Sequence, residues 1–457
     1  MVSFAYSNGM LTISQAEEQA ARLVAAACQA GADAADVVFV QGQSQDISVR
    51  LGQLEDVGRS EGAEIGLRLF IGHRSASVSS SDFSKEALDA LVERAVAMAR
   101  EAPEDRWAGL APKELLMQGA VPEIESDDGK EIAPAVLREL ALKAEDAARS
   151  VDGITNSEGA SASAGRTIFA LATSEGFTRG SSSSSYGCSA CVIAGQGVNM
   201  QRDYDFHATR YFEDLDAAEL IGTRAAERTI ARLNPTRIDS GQMPIIFDPR
   251  VGSGFLSYLI QGISGGAITR KTSFLLDSLG KPVFNEGITI KEDPWRKRGI
   301  ASRAFDGEGL PTKPNNIIEK GRLNGWLLDS AAARQLGMTP TGHARRGVGG
   351  PPSTGTANLY LEAGKVTPEE LMSDIKLGIY VTEMIGSGVN MITGDYSRGA
   401  SGFIIRDGQL AEPVAEITVA GNLKDIFMQM VPANDLRFRR GTEVPTLRVD
   451  GLMVAGQ

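Results

Sequence analysis

Three histidines and three cysteines in 457 residues leave few ways to hold a metal or activate a nucleophile. Zinc needs three or four His, Cys or carboxylate groups converging on one point. His73, His207 and His343 each stand without a second histidine within one helical turn, so each reads as an ordinary surface or hydrogen-bonded histidine. Cys188 and Cys191 form C-x-x-C in "YGCSACVIAG". A redox pair wants that spacing at a helix N-terminus, where the dipole lowers the thiol pKa. The surroundings here read as a strand, whose alternation sends the two thiols to opposite faces as small buried residues. Gly262-Ile263-Ser264-Gly265-Gly266 fits G-x-S-x-G, and His343 follows it in the chain as a hydrolase order would demand. The hydrolase elbow needs a strand before its serine, whereas a helical pattern precedes Ser264. A serine hydrolase using Ser264 stands as the rival reading.

The segment "LSYLIQGISGGAITRKTSFLLDSLGKPV", Leu256 to Val283, opens as an amphipathic helix, crosses three glycines and ends in a turn. Helix-to-glycine elements often frame an active site, yet this one has no His, Cys or carboxylate before Asp277. Further on, "GHARRGVGGPPSTGTANLYLEAG" is a Gly/Pro loop leading into a strand. Such a loop is either a mobile lid or an exposed connector. Gly342, His343, Arg345 and Arg346 are the groups it could offer to a substrate or a partner.

The elements that must position these groups follow from periodicity. Residues 14–30 read as a helix with Ser14 and Glu17 as its capping box and Gly31 at its end. Strands follow from Asp36, from Asp46 and from Ala63, where Ile65, Leu67, Leu69 and Ile71 share one face, with a weaker fourth strand from Ser75. A helix begins after Ser84. A polar, Pro-containing boundary spans residues 103–130, and then the order repeats: a helix from Pro134, strands near 154–162, 166–174, 177–192 and 199–211, and a helix after Asp216 with Glu219 completing a capping-box pattern. Ser-Glu-Gly-Ala occurs in both units, which read as a duplication. Beyond a second boundary near 234–243 the chain is strand-rich. It has a strand at "MPIIFD", hairpins turning at Lys320-Gly321 and Asp407-Gly408, short helices after Thr367 and over 422–431, and a closing strand "TLRVDGLMVAG". The expected fold is α+β: two similar helix–four strands–helix units over 1–115 and 116–236, then a larger β-rich C-terminal domain over 237–457.

Composition bounds the function. A net charge of -12 argues against binding of DNA or RNA backbone, which needs a concentrated basic surface. Three cysteines are no disulfide framework and suit a reducing compartment. The first residues lack the basic and apolar regions of a signal peptide, and no stretch reaches the length of a membrane helix, so the expectation is a cytoplasmic protein without a membrane contact. The first nine residues read as a disordered extension, with Met10 an alternative start.

Three C-terminal segments carry a resemblance: Thr272 to Lys281 ("TSFLLDSLGK"), Thr393 to Phe403 ("TGDYSRGASGF") and Pro413 to Phe427 ("PVAEITVAGNLKDIF"). They resemble the TldD/PmbA family, specifically its PmbA (TldE) branch, and the likeness extends over nearly the whole chain. The resemblance implies a zinc peptidase of two related subunits, historically labelled a modulator of DNA gyrase, acting on unfolded or extended peptides. In the TldD-type subunit a helical H-E-x-x-x-H and a late cysteine hold zinc, with the Glu as general base. Counted back from Gly280 to Val283, those positions fall here on Leu256, Ser257 and Gln261, none of them a group of the required kind. No cysteine follows Cys191, and the chain contains no His-Glu dipeptide. The resemblance therefore implies a non-catalytic subunit, with no cofactor of its own, zinc in a TldD-type partner, and a heterodimer as the active form. A peptide-binding or regulatory homodimer is the remaining alternative.

Overall fold

The computed structural model describes residues 9–456. The extension expected over the first nine residues lies, but for Gly9, outside the described residues.

The N-terminal half places helix α1 (Ile13–Gln29), strands β1 (Ala34–Arg50), β2 (Gln53–Ile71) and β3 (Arg74–Ser80), and helix α2 (Lys85–Glu101) before helix α3 (Pro134–Arg149), strands β4 (Ile154–Thr173), β5 (Thr178–Ala194) and β6 (Gln201–Thr209), and helix α4 (Ala218–Ala231). Each unit is thus helix–three strands–helix rather than the expected four. The polar run near residue 43 looks like a turn in sequence, but it is paired on both sides. Gln43 stands opposite Glu61 of β2 and Arg166 of β4, so the two expected strands are one. The same merging makes β4 a single 20-residue strand.

The six strands form one antiparallel sheet in the order β3-β2-β1-β4-β5-β6, and the two units share it through the β1–β4 pairing. Val37 and Phe39 pack under α1 and α2, whereas Ile47 and Val49, further along the same face of β1, pack under α3. The polar run is the waist between two cores. Val38 and Leu171, on the opposite face, meet Phe177, Phe305 and Leu310, so this end of the sheet's back is covered by the C-terminal half. The alternation of a half-buried strand thus serves two layers at once.

Two caps differ from their expected positions. α1 starts at Thr12, whose hydroxyl accepts from Gln15 N while the Gln15 side chain answers the Thr12 N–H. The expected partner Glu17 instead accepts from Gly180 N at 2.7 Å, tying α1 to β5. At α4, Asp216 does not cap the helix; its carboxylate pairs with Arg224 and Arg439, and Ala217 stands at the cap without a side-chain bond. In both places another partner claims the carboxylate: a backbone N–H of β5 for Glu17, and two guanidiniums for Asp216.

The C-terminal half contains β7 (Gly241–Phe247), α5 (Pro249–Gly262), α6 (Gly265–Thr269), β8 (Ile290–Glu292), β9 (Asn315–Glu319), β10 (Arg322–Leu323) and α7 (Ser330–Leu336). The two-stranded ribbon β11 (Ala344–Arg345) and β12 (Ser353–Thr354) follows, then β13 (Leu359–Leu361), α8 (Pro368–Met372), β14 (Leu377–Ile385), β15 (Asp395–Arg406), β16 (Gln409–Asn422), α9 (Leu423–Gln429), β17 (Val431–Pro432), β18 (Thr442–Glu443) and β19 (Leu447–Ala455). Strands run β16-β15-β14-β7-β19, and a further β16–β19 pairing joins the ends into a closed ring. The fold is α+β with a β-rich larger C-terminal region.

Candidate functional site

Helix α5 is set by Asp248, whose side chain accepts from Arg250 N at 2.8 Å, and by Pro249 in the first turn, where its missing N–H costs nothing. Its apolar stripe buries Phe255, Leu256 and Leu259 in the core of the strand ring, with Phe255 edge-on to Phe247. The opposite stripe exposes Ser257 and Gln261. These two, with Leu256 at the floor, line a cleft of about 560 Å³. Its far wall is β12 and the residues after it, Gly355 and Thr356, with Arg270 and Asp329 at its rim. Sequence reasoning placed Leu256, Ser257 and Gln261 in one site, and the structure puts all three on this cleft. It did not single out Arg270 and Thr354, which lie within the two quoted segments, and it missed Asp329 and Thr442, which enter from distant segments with no motif to announce them.

The Gly/Pro loop has two roles along its length. Its first part is a lock rather than a presenter of polar groups. His343 is buried, with Nδ1 at 2.8 Å from Thr341 Oγ1 and Nε2 at 2.7 Å from Glu292 Oε2. Burial pushes the Glu292 carboxyl up, but the His343 hydrogen bond and charge, the Ala357 N–H and Arg303 outweigh it and hold the group below its usual range. Arg346 is buried against Asp36 of β1. Arg303 donates to the carbonyls of Ala344 and Gly355, tying the two arms of the loop together, and burial lowers its pKa to about 10. Of the four expected contact residues, His343 and Arg346 are therefore spent internally. Arg345 donates to Thr356 O, and Gly342 takes a left-handed turn with φ of +74°. The loop's second part, from Pro352 to Thr356, faces the cleft.

Ser264 sits after a helix, not after a strand. Its hydroxyl donates to Gln261 O at 2.9 Å and accepts from Ala267 N, capping α6. Both ring nitrogens of His343 are engaged elsewhere, so the geometry assembles no nucleophile–base pair at Ser264. Ser264→Ala is expected to lower stability by about 1 kcal/mol, the worth of an N-cap, and to leave any peptidase activity of the assembled enzyme within a few-fold. Chemical denaturation and turnover assays check the two parts; a thousandfold fall in turnover with the fold intact would restore the hydrolase reading.

The other reactive groups are occupied. Cys188 is buried and Cys191 half-buried, and burial pushes both thiols up to about 12, the reverse of an activated pair. Cys191 donates to Glu158 at 3.2 Å. His207 Nδ1 accepts from Asp216 N at 3.0 Å, and His73 lies in an exposed turn. Among the described residues no three His, Cys, Asp or Glu side chains cluster as a metal would need, and no helix is long and apolar enough to cross a membrane.

Comparison with known proteins decides the family. The PmbA/TldA metallopeptidase domain 1 matches residues 35–99, the central domain 127–233 and the C-terminal domain 240–456. The chain belongs to the PmbA/TldA metallopeptidase family. It is 37% identical over 427 residues to the metalloprotease PmbA of Escherichia coli O157:H7, covering 93% of both chains. Among solved structures it resembles a candidate modulator of DNA gyrase from Bacteroides thetaiotaomicron, at a TM-score of 0.90 and 27% identity, over 98% of this chain and 100% of that one. It also shares the fold of TldE from Thermococcus kodakarensis, at a TM-score of 0.85 and 23% identity, over 95% and 99% of the two chains. The zinc that the PmbA/TldA name implies does not fit the α5 cleft of this member. Leu256 offers hydrocarbon, Ser257 a neutral hydroxyl and Gln261 an amide, where a site needs imidazole, thiolate or carboxylate.

Proposed function

We propose that this chain is the non-catalytic subunit of a TldD/TldE-type metallopeptidase acting on unfolded or extended peptides in the cytoplasm, with zinc held by a TldD-type partner. One observation carries the reading: the α5 cleft is kept open and lined with polar groups while the three motif positions hold Leu256, Ser257 and Gln261. A chain that keeps a peptidase frame without its ligands has a remaining use as a partner and a substrate wall. The kinship with metalloprotease PmbA and the TldE fold support it.

In this reading the cleft binds and orients peptide. Leu256 and Leu359 supply an apolar floor, and Ser257, Gln261 and Thr354 supply hydrogen-bonding groups. β12, one strand of a two-stranded ribbon, offers a backbone edge to an extended chain without demanding a side-chain sequence. The related folds of the two subunits make a pseudo-symmetric interface natural, and a stable one should bury more than about 1,000 Å². A net charge of -12 argues against direct contact with DNA.

Elemental analysis of the purified chain, with size-exclusion chromatography beside a TldD-type subunit, tests the proposal. The expected result is no stoichiometric zinc in this chain and co-elution at micromolar concentration. About one tightly held zinc per chain, lost on substituting His207 or His343, would overturn it. A stable homodimer that ignores the partner would favour the regulatory alternative.

A further inference from the structure

Arg398, near the start of β15, is a cation without a carboxylate partner among the described residues. Its Nη1 donates to the Tyr258 hydroxyl at 3.3 Å, and its Nε is buried with no acceptor. The side chain faces a second cleft, about 470 Å³, between the end of α4, the first turns of α5, and β14. Three other guanidiniums line it, and each is already paired: Arg232 with Asp203 and Glu383, Arg250 with Asp203 and Asp248, and Arg202 with Glu158. Four cations therefore face two lining carboxylates, Asp203 and Glu383, and the unbalanced charge is Arg398. A half-buried guanidinium with an unmet donor costs free energy that an oxyanion would return. Carboxylate is its natural complement.

Helix geometry joins this cleft to the first. Arg250, Gly254, Ser257 and Gln261 recur at helical spacing and so share one stripe of α5. A Cβ added at Gly254 would meet nothing within 4 Å, so the stripe is open there. From Gly254 to Gln261 is about 10 Å along the axis, the span of about three residues of extended peptide.

We propose that the Arg398 cleft takes a carboxylate of an extended peptide, so that the residues two or three positions away lie over Ser257 and Gln261. The proposal rests on the peptide-handling reading above and names the chemical end by which a peptide is held. The terminal carboxylate and an acidic side chain share that chemistry, and the test separates them.

Fluorescence anisotropy of an N-terminally labelled heptapeptide without acidic side chains, as free acid and as C-terminal amide, would be measured on the full chain alone. The free acid is expected to bind about tenfold or more tighter than the amide. Arg398→Gln should remove the difference. Gly254→Glu should remove it too, by presenting a competing carboxylate from an open helical position where Glu is the better helix former; its melting temperature should not fall. An amide carrying one internal Glu reports the source: recovered affinity assigns the site to acidic side chains, unrecovered affinity to the chain terminus. Acid, amide and Glu-bearing amide binding alike, or a preference that survives both variants, would overturn the carboxylate site alone. Peptides that do not bind at all would overturn the peptide-handling reading with it.

Discussion

Mixed with a TldD-type subunit, this chain is expected to yield peptidase activity that neither subunit shows alone, with a gain of about a thousandfold or more over either background. The size follows from what the chain lacks. Metal-activated water and a general base together supply several kcal/mol of barrier lowering, and each 1.36 kcal/mol is about a factor of ten in rate. Leu256, Ser257 and Gln261, which stand at the motif positions, can supply neither. In the proposed reading it supplies the α5 cleft and the β12 edge, which would act on a peptide held for a competent partner. Turnover of an unfolded polypeptide by each subunit, by the mixture, and by the mixture after chelation measures this. A TldD-type subunit fully active by itself, or a mixture no faster than the sum of its parts, would sink the proposal.

Asp36→Ala is expected to cost about 3–5 kcal/mol of stability, the toll of breaking a buried ion pair and stranding its cations. Asp36 lies on β1 with its side chain 2% exposed. It accepts from Arg68 of β2 and, at 3.0 Å, from Arg346 of the Gly/Pro loop, whose side chain is 0% exposed. Burial alone would raise the Asp36 carboxyl, but the two guanidiniums more than offset it and hold it below the ordinary value. The stability it contributes is therefore complete above its unfolded pKa, near 4, and is lost as pH falls through the depressed folded value. The loop is seated directly over β2: a Cβ at Gly66 would stand 2.0 Å from Val348 O, so only glycine admits this approach. Urea unfolding measures the cost, and hydrogen exchange over residues 344–356 should show the loop loosened from the sheet. A change below about 1 kcal/mol would show that the network does not hold the two halves together.

Much of this protein was legible in its sequence because the signals are local. Period-two alternation marked Ile65 to Ile71 as strand, Lys320-Gly321 and Asp407-Gly408 marked hairpin turns, and Ser84, Pro134 and Thr367 marked helix starts. The three C-terminal segments pointed to the family that the domain matches show, and residue identity alone says that leucine, serine and glutamine are no zinc set.

What tertiary structure decided depends on partners far away in the chain. The polar run at residues 42–45 separates two strands when read by itself, and only pairing with β2 and β4 on both sides makes it the waist of one long strand. Glu17 and Asp216 look like capping residues, but Gly180, Arg224 and Arg439 claim them. His343 and Arg346 look like exposed loop chemistry, yet Glu292 and Asp36 draw them inside, because a buried charge or imidazole is tolerated only where its partners are already in place. Arg398 is the converse: nothing in "TGDYSRGASGF" distinguishes it, and only the folded chain shows a cation facing a cleft with no carboxylate assigned to it.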